Sequence, residues 1–346
     1  MRMYINGVEE TSFATDTNPS SGQDSFVGDS GKTCLLGHKG EASFYFNGDM
    51  SHVQLVDSAA LAATEFGEVD STSGIWKIKT ACYATPGTNG FCMKMEDRSN
   101  LDLDSSSNAY TFSTTGTGTA TYDNPSNNFS TMNPLDNYYC GATLSNGNNS
   151  LVTGSSPYAQ ISSTLAASAG KWYWEVKPTA GNYWLIGAAS SPAISTSDHA
   201  GYSAYSNAVY YSNGNNYVNN VSSAYAASYT TNDIISVALD LDSNKLYYAK
   251  NGAWGTGSGA WDSTTFDAAV GAITITAPAS TTTGIYFPVV SDYWGSGTAT
   301  FQCNFGGCPA FAISSGNADA NSYGNFEYAV PSGFYAICTK NLAEFG

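Results

Sequence analysis

Between Lys171 and Val176 the side chains alternate in character with a period of two. Trp172, Trp174 and Val176 therefore share one face of a strand, and Lys171, Tyr173 and Glu175 share the other. The run from Ile234 to Asp242 repeats the pattern, with Ile235, Val237, Leu239 and Leu241 as its core row. Ser243 and Asn244 turn the chain, residues 245–250 return, and Asn251-Gly252 supplies the positive φ of another tight turn ahead of Trp254.

Composition agrees with an all-β chain. The 346 residues are 42% hydrophobic but only 12% charged, and they are rich in Gly, Ser, Thr, Asn and Tyr, which suits short strands joined by many turns better than a helical bundle. The length allows two domains, each able to bury a core without disulfides or metal. With 12 Lys and Arg against 28 Asp and Glu, the formal charge of −16 repels a nucleic-acid backbone, and no basic patch offsets it, so no nucleic-acid partner is expected. The acidity is read as a solubilising surface, with a calcium-loaded or saline-adapted surface as the alternative.

Seven cysteines, Cys34, Cys82, Cys92, Cys140, Cys303, Cys308 and Cys338, form no CxxC pair and no zinc-like spacing. Most are expected to be small buried thiols made in a reducing cytoplasm, while Cys303 and Cys308 are near enough in sequence to bridge a turn. Residues 1–7 read as a strand entering a turn and lack the apolar core of a signal peptide. No run is long enough to span a membrane, so membrane insertion is not expected. Work outside a cell then requires another route, such as release of assembled particles by lysis.

Residues 1–78 carry strand and turn signals in quick succession: Met3–Asn6 before Gly7, Leu35-Leu36 before Gly37, Ser43–Phe46 before Asn47-Gly48, and then residues 50–57. Residues 58–66 form the one expected helix, with Ser58 as its N-cap. Tyr4-Ile-Asn-Gly7 and Phe46-Asn-Gly-Asp-Met50 through Val53 resemble the second half of a laminin-G-like or concanavalin-like jelly roll. Half of such a sandwich exposes its inner face and edges, so the resemblance implies completion by another chain, by another copy, or by the rest of a longer protein. Residues 79–135 turn to Ser, Thr, Asn, Gly and Asp and read as a connector, anchored by Phe91, Phe112, Phe129 and Met132.

A stronger likeness covers residues 136–311. Gly170-Lys-Trp-Tyr-Trp-Glu-Val176, the hairpin from Asp233 to Trp254, Tyr286-Phe-Pro-Val-Val-Ser291 and Asn304-Phe-Gly306 stand in the order and spacing of a SPRY domain, the core of B30.2. The resemblance implies an antiparallel β-sandwich of two bent sheets that binds and does not catalyse. Residues 312–346 form a tail containing Val330-Pro-Ser-Gly-Phe334 and Thr339-Lys-Asn-Leu342. A partial jelly roll, a connector, a SPRY-like sandwich and such a tail are together similar to structural proteins of tailed bacteriophages, especially marine ones. That likeness implies a virion location, other virion proteins as partners, a homo-oligomer, and a host-surface glycan or protein as ligand.

Seven tyrosines, Tyr202, Tyr205, Tyr210, Tyr211, Tyr217, Tyr225 and Tyr229, lie among Ser, Asn and Gly. Rings with polar tips suit a recognition surface because they give area with little rotamer entropy to lose; the alternative makes half of them core or strand residues. Trp184, Trp254, Trp261 and Trp294 sit near small or polar residues, as a sugar-stacking platform or peptide pocket requires, or else Trp254 and Trp294 pack beneath hairpins. Ligands of SPRY domains meet loops at one end of the sandwich. On that basis Trp184, Tyr202, Tyr205, Tyr210, Tyr211, Tyr217 and Trp254 are the expected binding residues.

Glycoside hydrolysis needs two carboxylates roughly 5–10 Å apart. Asp240 and Asp242 share one side of a strand but are expected to face water, and Glu96-Asp97 and Asp102 with Asp104 are equally open readings. Asp102 and Asp104 are the one candidate for structural calcium, without an EF-hand pattern around them, and no other cofactor is expected. His38, His52 and His199 fall in separate segments, and there is no nucleophile elbow, HExxH, Walker loop or dinucleotide fingerprint. The expected function is a non-enzymatic virion protein of a tail fibre, spike or surface appendage that adheres multivalently to the host. The alternatives are a capsid decoration or packing protein, and a secreted polysaccharide-binding or polysaccharide-degrading protein.

Overall fold

The computed structural model describes residues 2–15, 17–18, 20, 35–37, 46, 50–57, 59–71, 74–97, 100–114, 121–124, 127–155, 158–211, 213–263, 265–293 and 297–346. These form two units, Met1–Thr121 and Tyr122–Gly346. No helix among the described residues is long and apolar enough to cross a membrane.

Among its described residues the first unit holds six short strands: β1 (Met3–Ile5), β2 (Val8–Glu10), β3 (Val53–Leu55), β4 (Gly67–Val69), β5 (Trp76–Ile78) and β6 (Phe91–Met93). They pair antiparallel two by two, β1 with β2, β3 with β6 and β4 with β5. The first hairpin turns at Asn6 and Gly7, with φ of +51° and +79°, as that dipeptide predicts. The expected helix shrinks to a single 3-10 turn, Ala63–Glu65, preceded by Ala62, which makes no side-chain cap. Ser58 lies outside the described residues, as do Ser43–Tyr45 of an expected strand and Cys34.

Cys82 and Cys92 form a disulfide, so these two fall outside the expectation that most of the cysteines are buried thiols. The pairing depends on tertiary neighbours: β3 places Gln54 opposite Cys92, and the Gln54 side chain accepts a hydrogen bond from the Tyr83 N–H, bringing Cys82 alongside. Asp104 is buried and its carboxylate accepts from the N–H groups of Cys92, Ser106 and Tyr110 and from the Ser106 hydroxyl. Burial pushes its pKa up, but these donors outweigh burial and hold it below the usual carboxylate value. Asp102 accepts from the Thr114 N–H and hydroxyl, so both carboxylates considered for calcium are engaged by protein donors. Met3, Ile5 and Val8 on the first hairpin are exposed.

The second unit holds β7 (Thr143–Ser145), β8 (Ser150–Val152), β9 (Gln160–Ser162), β10 (Lys171–Ala180), β11 (Trp184–Ala189), β12 (Ser206–Tyr210), β13 (Asn216–Val218), β14 (Val221–Ser223), β15 (Ile235–Asp240), β16 (Lys245–Lys250), β17 (Ala253–Gly255), β18 (Trp261–Ser263), β19 (Ile273–Thr274), β20 (Phe287–Asp292), β21 (Thr300–Asn304), β22 (Tyr335–Ala336) and the helix α1 (Thr339–Phe345). One sheet runs β18-β17-β16-β15-β10-β21-β8-β7, with β19 beside β16 and β22 beside β10. The other runs β14-β13-β12-β11-β20-β9. All these pairings are antiparallel except that of β22 with β10.

Between the sheets lies the core that the alternation predicts. Trp172, Trp174, Val176, Ile235, Val237 and Leu239 project from the first sheet to meet Trp184, Ile186, Val209 and Val290 of the second. Asn251 and Gly252 take φ of +50° and +81° and close the β16–β17 hairpin as expected. Cys140, Cys303 and Cys338 are buried free thiols, so Cys303 makes no bridge to Cys308.

The opposite face of the first sheet departs from expectation. Tyr173 and Glu175, on the strand face opposite Trp172 and Trp174, are both 0% exposed, because residues from either end of the unit lie over them. Phe129, Phe326, Phe334, Ala336 and Cys338 form a second apolar cluster with Tyr173, Ala238, Tyr247, Ala249 and Trp254. The segment read as a tail is thereby part of the sandwich unit, as is the end of the segment read as a connector. Asp240 is likewise buried, paired with Lys171 Nζ at 3.0 Å, whereas Asp242 accepts the Gly170 N–H.

Glu175 ties this layer down. Its carboxylate accepts from the Tyr173 hydroxyl at 2.9 Å, Asn304 Nδ2 at 3.1 Å, and the backbone N–H groups of Glu327 at 3.0 Å and Tyr328 at 2.9 Å. Asn304 also donates to the Asn325 carbonyl and accepts the Gly306 N–H, which gives the Asn-Phe-Gly triplet its structural meaning. Farther along, buried Asp319 accepts from the Ala336 N–H and from Asn341 Nδ2, the asparagine of the Thr-Lys-Asn-Leu motif. Gly170 permits the last close approach: at φ +81° a Cβ there would stand 2.6 Å from the Phe345 carbonyl oxygen.

Burial pushes the Glu175 pKa up to about 7, against the lowering effect of its four donors. A carboxyl raised above its unfolded value contributes stability that is fully present below about pH 4.5 and is lost as the pH rises through about 7. Chemical denaturation at pH 4.5 and pH 8 should show the native chain losing roughly 1–3 kcal/mol more than Glu175→Gln over that interval. Equal losses in the two proteins would contradict the assignment. Gly170→Ala should lower stability by about 1–3 kcal/mol in the same measurement, through φ strain and the clash with Phe345.

Candidate functional site

Strand β11 alternates across the second sheet. Trp184, Ile186 and Ala188 point into the core, and Leu185 and Ala189 point outward, where they pack with Ala200, Ala208 and Val289. These small residues form a low apolar floor. Tyr210 from the end of β12, Tyr217 from β13, Tyr293 just beyond β20, and His199 from the β11–β12 connection gather above Leu185. The connection is held in place by hydrogen bonds from the Ala200 N–H to Ser291 Oγ and from the Gly201 N–H to Ser206 Oγ.

The rings interlock edge to face. Tyr210 lies 5.4 Å from Tyr217 and 5.9 Å from Tyr293, and His199 lies 4.6 Å from Tyr293 and 5.3 Å from Tyr202. Tyr158 extends the array from Tyr293 at 5.7 Å. Only about 10 Å³ of space remains among the lining rings, so the feature is a rigid surface and not a deep pocket. Each edge-to-face pair adds about 0.5–1.5 kcal/mol to its area burial, so the array is held in shape before any ligand arrives.

His199 is buried, and that burial lowers its pKa, so the imidazole is neutral at neutral pH and its Nδ1 lies 3.0 Å from the Ala200 carbonyl. The surface therefore presents phenol tips and π faces without a formal charge among His199, Tyr210, Tyr217 and Tyr293. Tyr183, beside it, holds φ +64°, and its carbonyl accepts the Tyr293 N–H at 2.8 Å. A bulky residue in that region stores strain that the surrounding structure must hold.

Of the residues anticipated from sequence, Tyr202, Tyr210 and Tyr217 join this array. Tyr211 sits at its margin, over Trp184 and beside Tyr183. Tyr205 is half-buried and contributes its carbonyl to the Ser190 N–H. Trp184 is 1% exposed: its indole N–H donates to the Ala180 carbonyl and its ring stacks on Tyr229, so it supports the sheet from beneath. Trp254 belongs to the outer face of the other sheet, on the opposite side of the sandwich. Tyr225 and Tyr229 are core residues with hydroxyls bonded to backbone, Trp261 donates to the Ala227 carbonyl, and Trp294 lies outside the described residues.

Tyr158, Tyr183 and Tyr293 were not singled out by sequence, and His199 was weighed only as a catalytic base. Tyr293 had a readable signal, since it continues the outward parity of Val289 and Ser291 on β20. The others come from connections whose approach is tertiary.

Comparison with known proteins places this geometry. Residues 171–306 match the SPRY domain family. The crystal structure of the SPRY domain of human HERC1 is similar at a TM-score of 0.37 and 15% identity, covering 51% of this chain and 97% of that one. A stonustoxin structure is similar at a TM-score of 0.36 and 19% identity, covering 51% of this chain but only 27% of its own. No curated protein matches the chain. Residues 171–306 are a SPRY domain, a β-sandwich of a kind that typically serves protein interaction.

Proposed function

We propose that the chain is a non-enzymatic adhesion module of a tailed-phage virion, part of a tail fibre, spike or surface appendage, and that the tyrosine array on the second sheet is its docking surface. The observation that carries the reading is the preformed aromatic face itself. Tyr202, Tyr210, Tyr217 and Tyr293 offer large amphipathic contacts whose rotamers are already restricted, so little entropy is lost on binding. A host-surface protein or glycan would stack on these rings and hydrogen-bond to their hydroxyls.

The virion assignment rests on the succession of N-terminal β segment, SPRY sandwich and Asn-Leu tail described from the sequence. Exposed Met3, Ile5 and Val8 on the first hairpin support assembly with a further copy or another virion protein, because such a row is stabilised by cover. The Cys82–Cys92 bridge favours action in an oxidising exterior. No cofactor has a part in this reading.

Surface plasmon resonance against envelope fractions of candidate host bacteria tests it. Tyr210→Ala and Tyr293→Ala should each weaken binding by about tenfold or more, the scale of an interface hot spot. Trp184→Ala should instead destabilise the fold by about 3–5 kcal/mol, as loss of a buried indole does. Binding that survives both tyrosine substitutions would refute the proposed surface. Light scattering of the purified chain should give a mass above that of one copy, and a strict monomer would count against self-assembly.

A further inference from the structure

On the opposite outer face of the sandwich, the β17–β18 hairpin and the segment after it enclose a second feature, independent of the tyrosine array. It is a cleft of about 250 Å³, lined by Tyr247, Trp254, Gly255, Thr256, Asp262, Thr265, Phe266, Asp267 and Val270. Its walls are aromatic. Phe266 stands 4.9 Å from Trp254 and 5.0 Å from Tyr247, each edge to face, and is backed by Phe334 at 5.3 Å.

The cleft is built into the fold. The Tyr247 hydroxyl donates to the Ala268 carbonyl at 3.0 Å and clamps the covering segment to β16. Gly271 brings that segment against β17 so closely that a Cβ on it would stand 1.9 Å from the Gly255 carbonyl oxygen. Trp254, at 9% exposure, and Tyr247, at 3%, are fixed in the second apolar cluster, so the walls do not depend on a ligand for their shape.

Its charge is one-sided. Asp262 and Asp267 are both exposed at the rim, and among the described residues no Lys, Arg or His lines the cleft. The lysines of the same sheet are committed elsewhere: Lys171 to Asp240, Lys177 over the Phe311 ring, Lys245 to the Thr274 hydroxyl and Lys250 to the Ser228 carbonyl. No ion pair among the described residues engages either rim carboxylate. A hard divalent cation takes six to eight oxygen ligands, which π faces do not supply. Asp267 also accepts the Ala269 N–H, and an uncharged guest would draw nothing from the negative field of the two rim carboxylates. A planar cation satisfies walls and rim together, because a guanidinium stacks on aromatic faces and donates in a fork to carboxylates, which an ammonium does less well.

We propose that this cleft receives an arginine side chain of a protein partner, as a second docking site on the face opposite the tyrosine array. The test follows the Trp254 and Trp261 indole N–H signals of the full chain by NMR during titration with the peptide Ac-Gly-Arg-Gly-NH2. Parallel titrations use the lysine peptide, the isosteric neutral citrulline peptide, methyl glucoside and calcium chloride. The arginine peptide should shift Trp254 saturably, with the lysine peptide at least about threefold weaker and citrulline at least about tenfold weaker. Asp262→Asn combined with Asp267→Asn should weaken the arginine peptide about tenfold with unchanged circular dichroism, since both side chains are exposed. Phe266→Leu should weaken it while leaving the preference for charge. Citrulline, methyl glucoside or calcium binding as tightly as arginine, lysine binding as tightly as arginine, or the double variant binding normally would each overturn the proposal. Because Tyr210→Ala leaves this cleft intact, loss of arginine binding and loss of envelope binding are separately read.

Discussion

One buried carboxylate organises the sandwich unit. Glu175 takes four hydrogen bonds with no cation among the described residues beside it, and the donors come from three parts of the chain: its own strand, the Asn-Phe-Gly segment at the end of β21, and the backbone at residues 327–328. An ion taken this far from water is tolerated only when its acceptor sites are filled, so strand β10, the Asn-Phe-Gly segment and the C-terminal segment are held in one arrangement or the carboxyl must give up its charge. That arrangement places Phe326 over Tyr173 and roofs the outer face of the first sheet. With one face closed in this way, the outer side of the second sheet and the β17–β18 hairpin are the surfaces on which the proposed docking sites lie.

The two outer faces are chemically different, and the difference follows from small residues at particular places. On the second sheet, Ala189, Ala200 and Ala208 keep the floor shallow, so tyrosines at the ends of strands lean over it and pack against one another. The result is flat, neutral and rigid. On the first sheet, Gly271 holds the covering segment against β17, and a cleft with aromatic walls and an acidic rim remains beside it. A flat phenolic face suits a broad partner surface, whereas the cleft suits one inserted side chain. In the proposed virion setting, several copies on one particle would multiply weak contacts of either kind without new chemistry.

How far the sequence could be read depended on whether the deciding contacts were local. Strands β10, β15 and β16 were legible because their apolar rows alternate, and the Asn-Gly turns were legible because that dipeptide accepts positive φ. The outward row of β10 was not, since Tyr173 and Glu175 look like solvent-facing residues until the C-terminal segment, some 150 positions away, is laid over them. Trp184 misled for a related reason. In Trp-Leu-Ile-Gly-Ala-Ala both faces are buried, so no polar alternation marks the inward side. Tyr210 and Tyr217 look like loop residues amid Ser, Asn and Gly but stand on short strands, and Tyr158, His199 and Tyr293 reach them only through sheet pairing. The disulfide was hidden by the same dependence on pairing, here of β3 with β6.

The claim that the tyrosine face is where this module docks can be tested without choosing residues in advance. Hydrogen–deuterium exchange of the full chain, alone and when held by a bacterial envelope fraction, reports which backbone segments a partner shields. The account predicts added protection concentrated in residues 199–202, 208–211, 216–218 and 291–293, around the ring array. Protection absent from those segments and concentrated elsewhere in a chain shown to be bound would contradict it.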